Sequence, residues 1–336
     1  MAEQNQTKPK FRTSIGGQAL IEGILMRGPE KQAIVVRSKE GLVEKVEELK
    51  LIRDRYPILG LPVLRGAVTF VDSMVRGVKA LMYSADFFPE EEGEPSKLDL
   101  WLEKKLGSEK LQKLVVALAV VLSLGLTIGL FMILPTFLAG LLGRFIPNVV
   151  IHNLVESVIK LLIFFGYLLL CSKQKDIQRV FQYHGAEHKV IHAFEAGGDV
   201  DAATAARMSR LHPRCGTTFL LFVISISIIL HAVLVPLLLF IYCPEGAVAK
   251  QALTIVFKLL LMVPISALSY ELIRYAARMP DGFMATLLRA PGLTLQRMTT
   301  AEPDERQLDV AVVALREALG AQAGDNIITA PYRRDA

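Results

Sequence analysis

Long apolar runs dominate the hydrophobic pattern of the chain. The stretches 114–143 and 215–243 contain no Asp, Glu, Lys or Arg, and both exceed the roughly 20 residues that a membrane-spanning helix needs. Two further runs, 149–171 and 251–273, are apolar apart from a few ionisable residues. The pattern predicts four transmembrane helices. A soluble helical core is the alternative, and two separate charge-free runs of this length disfavour it.

A more polar segment, 62–85, has the pattern of an amphipathic helix. Its charged residues share one stripe of a helix with 3.6 residues per turn, and most of its apolar residues lie elsewhere. The stripe consists of Arg65, Asp72, Arg76 and Lys79. A position in the headgroup layer of a membrane and packing on a soluble domain both fit this pattern.

Composition and charge restrict the class of protein. Of the 336 residues, 52% are hydrophobic, which excludes a disordered chain and makes the lipid bilayer the expected partner. The net charge of +5 is too small to indicate a nucleic-acid partner. Three cysteines cannot form the dense disulfide framework of a small secreted domain. The oligomeric state stays open, and a homo-oligomer is compatible with the sequence.

The distribution of Lys and Arg predicts the orientation. These residues cluster before the first run, between the second and third runs, and after the fourth, whereas the short connections 144–148 and 243–250 carry only Arg144 and Lys250. Because cytoplasmic loops retain positive residues, we expect a cell-membrane protein with both termini and the central loop in the cytoplasm. The first apolar run starts far from the N-terminus, so no secretory signal is expected.

This topology divides the chain into three regions. They are an N-terminal cytoplasmic region 1–112, a membrane domain 113–273 that contains a cytoplasmic loop 172–216, and a C-terminal cytoplasmic region 274–336. Strand-like segments flanking 38–41 predict a hairpin, and the glycine-rich residues 11–29 predict either an ordered turn or a site-lining segment. The predicted fold is a mainly α polytopic membrane protein with about four transmembrane helices, an amphipathic interfacial helix and small cytoplasmic α+β parts.

The central loop holds four of the six histidines of the chain. His184, His188, His192 and Glu195 stand at offsets that place them on one face of a predicted helix. Residues 184–188 also form an H-x-x-E-H pattern. Two imidazoles one helical turn apart can hold Zn²⁺ in this pattern, while Glu187 beside the second imidazole polarises water.

A turn further along the loop supplies additional metal donors. Pro213 forces His212 out of helical geometry and so places an imidazole and the Cys215 thiol three residues apart. The candidates for a third ligand rank in the order Cys215, His212, Glu195 and His192. Zinc or another divalent transition metal is the expected cofactor, because these are nitrogen and sulfur donors.

The metal site has two alternative roles. With Glu187 as general base and Glu22, Arg27 and Glu195 as pocket residues, the site is that of a metal-dependent hydrolase. With four protein ligands (His184, His188, His212 and Cys215) it is a closed structural site in a membrane scaffold.

The second apolar run carries ionisable residues at a spacing of four, namely His152, Glu156 and Lys160. Ionisable residues inside a membrane point to function by default, and with His231 on the third run they suggest a transporter. Snorkelling of the side chains and an i,i+4 ion pair offer a simpler structural explanation, which we favour.

Four blocks of the sequence stand out within roughly residues 12–319: GGQALIEGILMRGP, LPVLRG with the following helix, YHGAEHKVIHAFE with HPRCGT, and PGLTLQRMTT. Together these blocks resemble the YqhQ-like family of bacterial multi-pass membrane proteins, whose function is unknown. The family is often described as predicted metal-dependent enzymes, and the resemblance therefore implies a metal site in the third block. It implies no substrate class.

Overall fold

A computed structural model describes most of the chain. The described residues are Thr13, 15–50, Ile52, 56–61, 64–88, 108–143, 145–146, 148–197, 200–242, 244–280 and 282–320. Arg144, which entered the orientation argument, lies outside them.

The N-terminal part forms a four-stranded antiparallel sheet with the strand order β1-β2-β3-β4. The strands are β1 Gly16–Leu20, β2 Gly23–Arg27, β3 Lys31–Ser38 and β4 Gly41–Glu48. The predicted hairpin is β3 and β4, with Ser38 paired to Gly41. The glycine-rich segment forms a second hairpin, so the predicted turn is confined to residues 21–22, where Glu22 has a φ of 49°. The residues after this turn form a strand and not a longer turn because Ile24, Leu25 and Met26 are buried in the sheet.

Helices make up most of the remaining structure. They are α1 Leu64–Ala85, α2 Ser108–Ile128, α3 Leu134–Gly143, α4 Val149–Cys171, α5 Lys175–Glu195, α6 Ala202–Ala206, α7 Gly216–Ile241, α8 Ala247–Leu260, α9 Met262–Arg278, α10 Phe283–Thr299 and α11 Glu305–Leu319. A π-helical turn, Gly129–Ile133, joins α2 to α3. Pro135 lies two residues after the π-helical turn, and the helix continues past this proline to Gly143.

Four candidate spans are long and apolar enough to cross a membrane, which confirms the predicted number. They are Leu118–Leu142, Ile151–Cys171, Gly216–Ile241 and Val248–Ala276. In the first three, only 6% of the most apolar window is buried within the protein. Such extensive exposed apolar surface is unfavourable in water and favourable in a bilayer. The protein is a mainly helical membrane protein with a small antiparallel sheet.

Packing separates the chain into two compact units. The described residues within 1–88, 168–227 and 261–336 form one, which we call the sheet unit, and those within 89–167 and 228–260 form the other, the helical unit. In the sheet unit, one face of the sheet packs on α5, α6 and α11. The opposite face packs on α1 through Ala80 and Tyr83. The sheet is thus a middle layer between helices.

Candidate metal centre

Helix α5 presents the predicted H-x-x-E-H residues from within the core of the sheet unit. Ala186, Val190 and Ile191 are fully buried and belong to the core formed with the sheet and α11. Gly185 permits close contact with the segment after α10, since a Cβ at this position would lie 2.1 Å from the carbonyl oxygen of Ala301. The end of α10 can therefore approach the turn of α5 that carries His184.

Three donor atoms converge beside this turn. The ligand atoms of His184, His188 and Cys215 all lie within 4.8 Å of one another, and His184 Nε2 is 3.1 Å from Cys215 Sγ. Tetrahedral zinc with ordinary bond lengths separates a nitrogen from a sulfur ligand by about 3.6 Å. The three side chains can hold such an ion after small displacements.

Both imidazoles are oriented by backbone carbonyls. His184 Nδ1 lies 2.8 Å from the carbonyl oxygen of Thr299, and His188 Nδ1 lies 2.6 Å from that of Arg210. Since a carbonyl oxygen only accepts, each Nδ1 carries the proton and donates it, which leaves the Nε2 lone pair for a metal. His188 Nε2 is buried and has no hydrogen-bond partner among the described residues. A metal ion would satisfy this atom.

The electrostatics of the group favour a thiolate. Burial by itself raises the pKa of Cys215, but the neighbouring His188 and His184 hold that pKa well below its usual range. Burial by itself lowers the pKa of His184, and the Cys215 thiolate raises it to about 9. A metal ion that replaces the His184 proton would find the sulfur already ionised.

Glu187 lies next to this group in a buried environment. Its side chain is buried, and its Oε2 atom has no hydrogen-bond partner among the described residues. Burial raises its pKa, although the charges of His188 and His184 oppose that rise. Gly17 of β1 packs against the carboxyl group, since a Cβ there would lie 3.0 Å from Glu187 Cδ.

His212 lies beside the three donors but outside the group. Its ring centre is 5.6 Å from that of His188. Burial lowers its pKa to about 3, so the imidazole is neutral. Gln296 holds the His212 backbone from both sides, accepting from the N–H at 2.8 Å and donating to the carbonyl oxygen at 2.7 Å.

The two lowest-ranked ligand candidates have other partners. Glu195 forms an ion pair with Arg214 and accepts hydrogen bonds from the backbone N–H and hydroxyl of Thr13 at 2.8 and 2.9 Å. His192 Nε2 lies 2.9 Å from the carbonyl oxygen of Leu211. These contacts tie the 211–214 turn to α5 and occupy Glu195 Oε1 and His192 Nε2.

The described hydrogen bonds of Glu22 and Arg27 do not reach the three donors. Glu22 pairs with Arg179 and accepts a hydrogen bond from the Tyr183 hydroxyl at 3.2 Å. Arg27 donates to Ser73 Oγ of α1 at 3.1 Å. The two residues connect the first hairpin to α5 and to α1, respectively.

Sequence reasoning missed the residues that orient the donors. The carbonyl groups of Thr299 and Arg210 leave no side-chain signal. Gln296 is a buried amide in the last turn of α10, and a polar residue at a buried helix position was the available signal. Lys189 was also missed; it is buried and donates to the carbonyl oxygens of Ala206 and Met208, both at 2.9 Å.

These observations define the class of protein as a polytopic helical membrane protein with a buried His/His/Cys group on a sheet-bearing unit. A family described as a protein of unknown function (DUF1385) matches residues 61–321. The uncharacterized protein YqhQ of Bacillus subtilis (strain 168) is 30% identical over 321 residues, which cover 94% of this chain and 96% of that protein. The chain therefore belongs to the DUF1385 family, as the sequence blocks indicated. No solved structure matches the chain.

Proposed function

We propose that this protein is a membrane-embedded zinc-dependent hydrolase with its site on the cytoplasmic side. His184, His188 and Cys215 would hold the metal, and three protein ligands leave a fourth position in a tetrahedral shell, as catalytic zinc sites do. The proposal is carried by two observations together: the Nε2 of His188 is buried and unpartnered among the described residues, and one ligand atom each of His184, His188 and Cys215 lie within 4.8 Å of one another. A buried acceptor without a partner is costly and needs an explanation.

Each neighbouring side chain has a defined task in this proposal. When bound, zinc supplies a Lewis acid and lowers the pKa of water. Glu187 receives the proton from the attacking water at its free Oε2 and passes it to the leaving group. The carbonyl groups of Thr299 and Arg210 keep both imidazoles in the tautomer that directs Nε2 to the metal. The substrate class stays open.

A structural zinc site in a membrane scaffold is the second candidate. The observation that favours it is burial, since His188 is 1% exposed and Glu187 is 5% exposed. In this case the metal fixes α5 to the turn before α7, and Glu187 has no chemical task.

The Glu187→Gln substitution separates the two candidates. The purified full-length protein, loaded with zinc, is assayed with p-nitrophenyl acetate, p-nitrophenyl phosphate and bis(p-nitrophenyl) phosphate. We expect this variant to keep its zinc and to lose hydrolysis about 100- to 10,000-fold, the usual contribution of a general base. Glu40→Gln, in the exposed turn between β3 and β4, is the control and should hydrolyse like the wild type.

Two results would contradict a hydrolase. The first is wild-type hydrolysis by the Glu187→Gln variant. The second is bound zinc with hydrolysis of none of the three probes, together with a large fall in the melting temperature after chelation. This second result is the expected behaviour of a structural site.

A further inference from the structure

The helical unit contains a polar cavity of about 540 Å³. Its wall includes Thr136 of α3, Glu156 and Lys160 of α4, His231 of α7 and Lys258 of α8. All of these residues belong to candidate membrane spans. The volume falls within the range of roughly 300–1,000 Å³ that is typical of small-molecule pockets.

One acidic residue of the cavity already has its partners. Glu156 Oε1 accepts from Lys258 Nζ at 2.6 Å and from the Thr136 hydroxyl at 2.8 Å. The predicted i,i+4 ion pair within α4 is therefore wrong, because the carboxylate reaches across to α8 and α3. Glu156 and Lys258 neutralise each other.

Two other polar side chains of the cavity lack an ion-pair or hydrogen-bond partner among the described residues. Lys160 forms no ion pair or hydrogen bond within the described part of the chain, and both ring nitrogens of His231 are buried there without a partner. Three lysines and one glutamate line the cavity, so its wall has a formal excess of two positive charges when the histidines are neutral. Unpaired charges and orphan donors are costly at membrane depth.

We propose that this cavity binds an oxyanion, a phosphate or carboxylate group, with Lys160 and His231 as its ligands. An oxyanion supplies the missing negative charge to Lys160 and an acceptor to a protonated nitrogen of His231. The same wall has apolar residues, Ile228, Val235 and Leu239, which suit a hydrocarbon part attached to the anion. The headgroup of an anionic phospholipid and a small free oxyanion share this chemistry. The inference is independent of the zinc proposal.

The test uses the full-length protein in nanodiscs of phosphatidylcholine, with or without phosphatidylglycerol. Native mass spectrometry counts the phosphatidylglycerol molecules that stay bound per chain. Thermal melts in phosphatidylcholine nanodiscs measure stabilisation by inorganic phosphate. Retained phosphatidylglycerol without a phosphate response assigns a lipid headgroup, and saturable stabilisation by phosphate assigns a free oxyanion. Either result supports the proposal.

Variants connect the binding to the cavity. Lys160→Met should weaken it about tenfold or more because a charge-assisted contact is lost, whereas Lys160→Arg keeps the charge and should stay near wild type. Lys173→Met, just beyond the end of α4, is the matched control and should bind like the wild type. His231→Gln, which keeps a polar group, is used if Lys160→Met does not fold, and it should weaken binding without abolishing it.

Three results would overturn the proposal. They are a wild-type protein that binds neither probe, a Lys160→Met or His231→Gln variant that binds as tightly as the wild type, and a Lys173→Met variant that loses as much binding as Lys160→Met.

Discussion

At the scale of single residues, Glu195 has the clearest energetic role. It is buried, pairs with Arg214, and binds Thr13 near the N-terminal end of the described chain. Burial by itself raises its pKa, but the contacts with His212 and Arg214 outweigh that effect and lower the pKa from 4.5 to about 2. The carboxylate thus joins three separate segments around the candidate metal centre.

Glu195 should make stability depend on pH in acid. A carboxyl group whose folded pKa is lowered adds stability above its unfolded pKa and loses it as the pH falls towards the folded pKa. The shift from 4.5 to about 2 corresponds to a contribution on the order of 3 kcal/mol at neutral pH. Glu195→Gln should therefore melt at a lower temperature than the wild type from pH 8 to 5. The two melting temperatures should converge below pH 4.5.

Thermal melts in detergent across this pH range measure the effect. Glu40→Gln serves as the control, because its side chain lies in an exposed turn. A difference between wild type and Glu195→Gln that disappears already between pH 7 and 6, or that persists unchanged to pH 3, would contradict the assignment.

At the scale of elements, α1 packs through a side that carries Arg65 and small residues such as Gly66 and Ala80, whereas Lys79 of the predicted charged stripe is exposed. Arg65 forms an ion pair with Glu271 of α9 at 2.6 Å, and a Cβ at Gly66 would lie 2.9 Å from the Ala267 backbone of the same helix. The opposite side of α1 is apolar and exposed, with Val71, Met74, Val75, Val78, Leu81 and Met82 between 40% and 55% exposed. Since α9 belongs to a candidate membrane span, this arrangement suits a helix in contact with lipid.

Tryptophan fluorescence tests the position of α1. The single tryptophan of the chain, Trp101, is replaced by phenylalanine, and Val78→Trp or Glu40→Trp is added in that background. Brominated phosphatidylcholine should quench the fluorescence of the Val78→Trp variant strongly and that of the Glu40→Trp variant weakly, because bromine quenches only in close contact. Equal weak quenching in both variants would show that the apolar side of α1 is not in the bilayer.

Local pattern predicted the elements, and long-range packing decided their arrangement. The four spans, α1 and the β3-β4 hairpin follow from hydrophobic periodicity over short windows. Helices α5 and α11 pack side by side on one face of the sheet and join residues as distant as Met26 and Leu315 in one core. No local pattern contains that information. The strands within residues 16–27 were missed for a related reason. These segments are short and rich in glycine, so their hydrophobic pattern is weak, and they form strands because they pair with each other and with β3.

The same distinction applies to the candidate site. The spacing of His184 and His188 and the His-Pro-Arg-Cys turn drew attention to the three residues that the structure brings within 4.8 Å. Spacing alone ranked His212, Glu195 and His192 as further donors. In the folded chain, His212 contacts the Gln296 amide of α10, His192 contacts the carbonyl group of Leu211, and Glu195 contacts Arg214 and Thr13. These partners are distant in sequence and are known only once the chain is folded.

At the scale of the whole molecule, the distribution of charge predicts the orientation in the membrane. An epitope tag inserted between Glu245 and Gly246 should bind antibody on intact spheroplasts, because this short connection between the third and fourth spans carries few positive residues. A tag between Ser172 and Lys173 should bind only after permeabilisation. The reverse result would place the candidate metal centre outside the cytoplasm and would contradict the proposed localisation.

The zinc content of the purified full-length protein tests the central claim most directly. Elemental analysis should find about one zinc ion per chain in the wild type, and almost none in His184→Ala and Cys215→Ala. The matched controls His152→Ala and Cys171→Ala lie outside the group of three donors and should keep the wild-type content. A wild-type protein that stays well below one zinc per chain after zinc supplementation, or a Cys215→Ala variant that keeps its metal, would contradict the account.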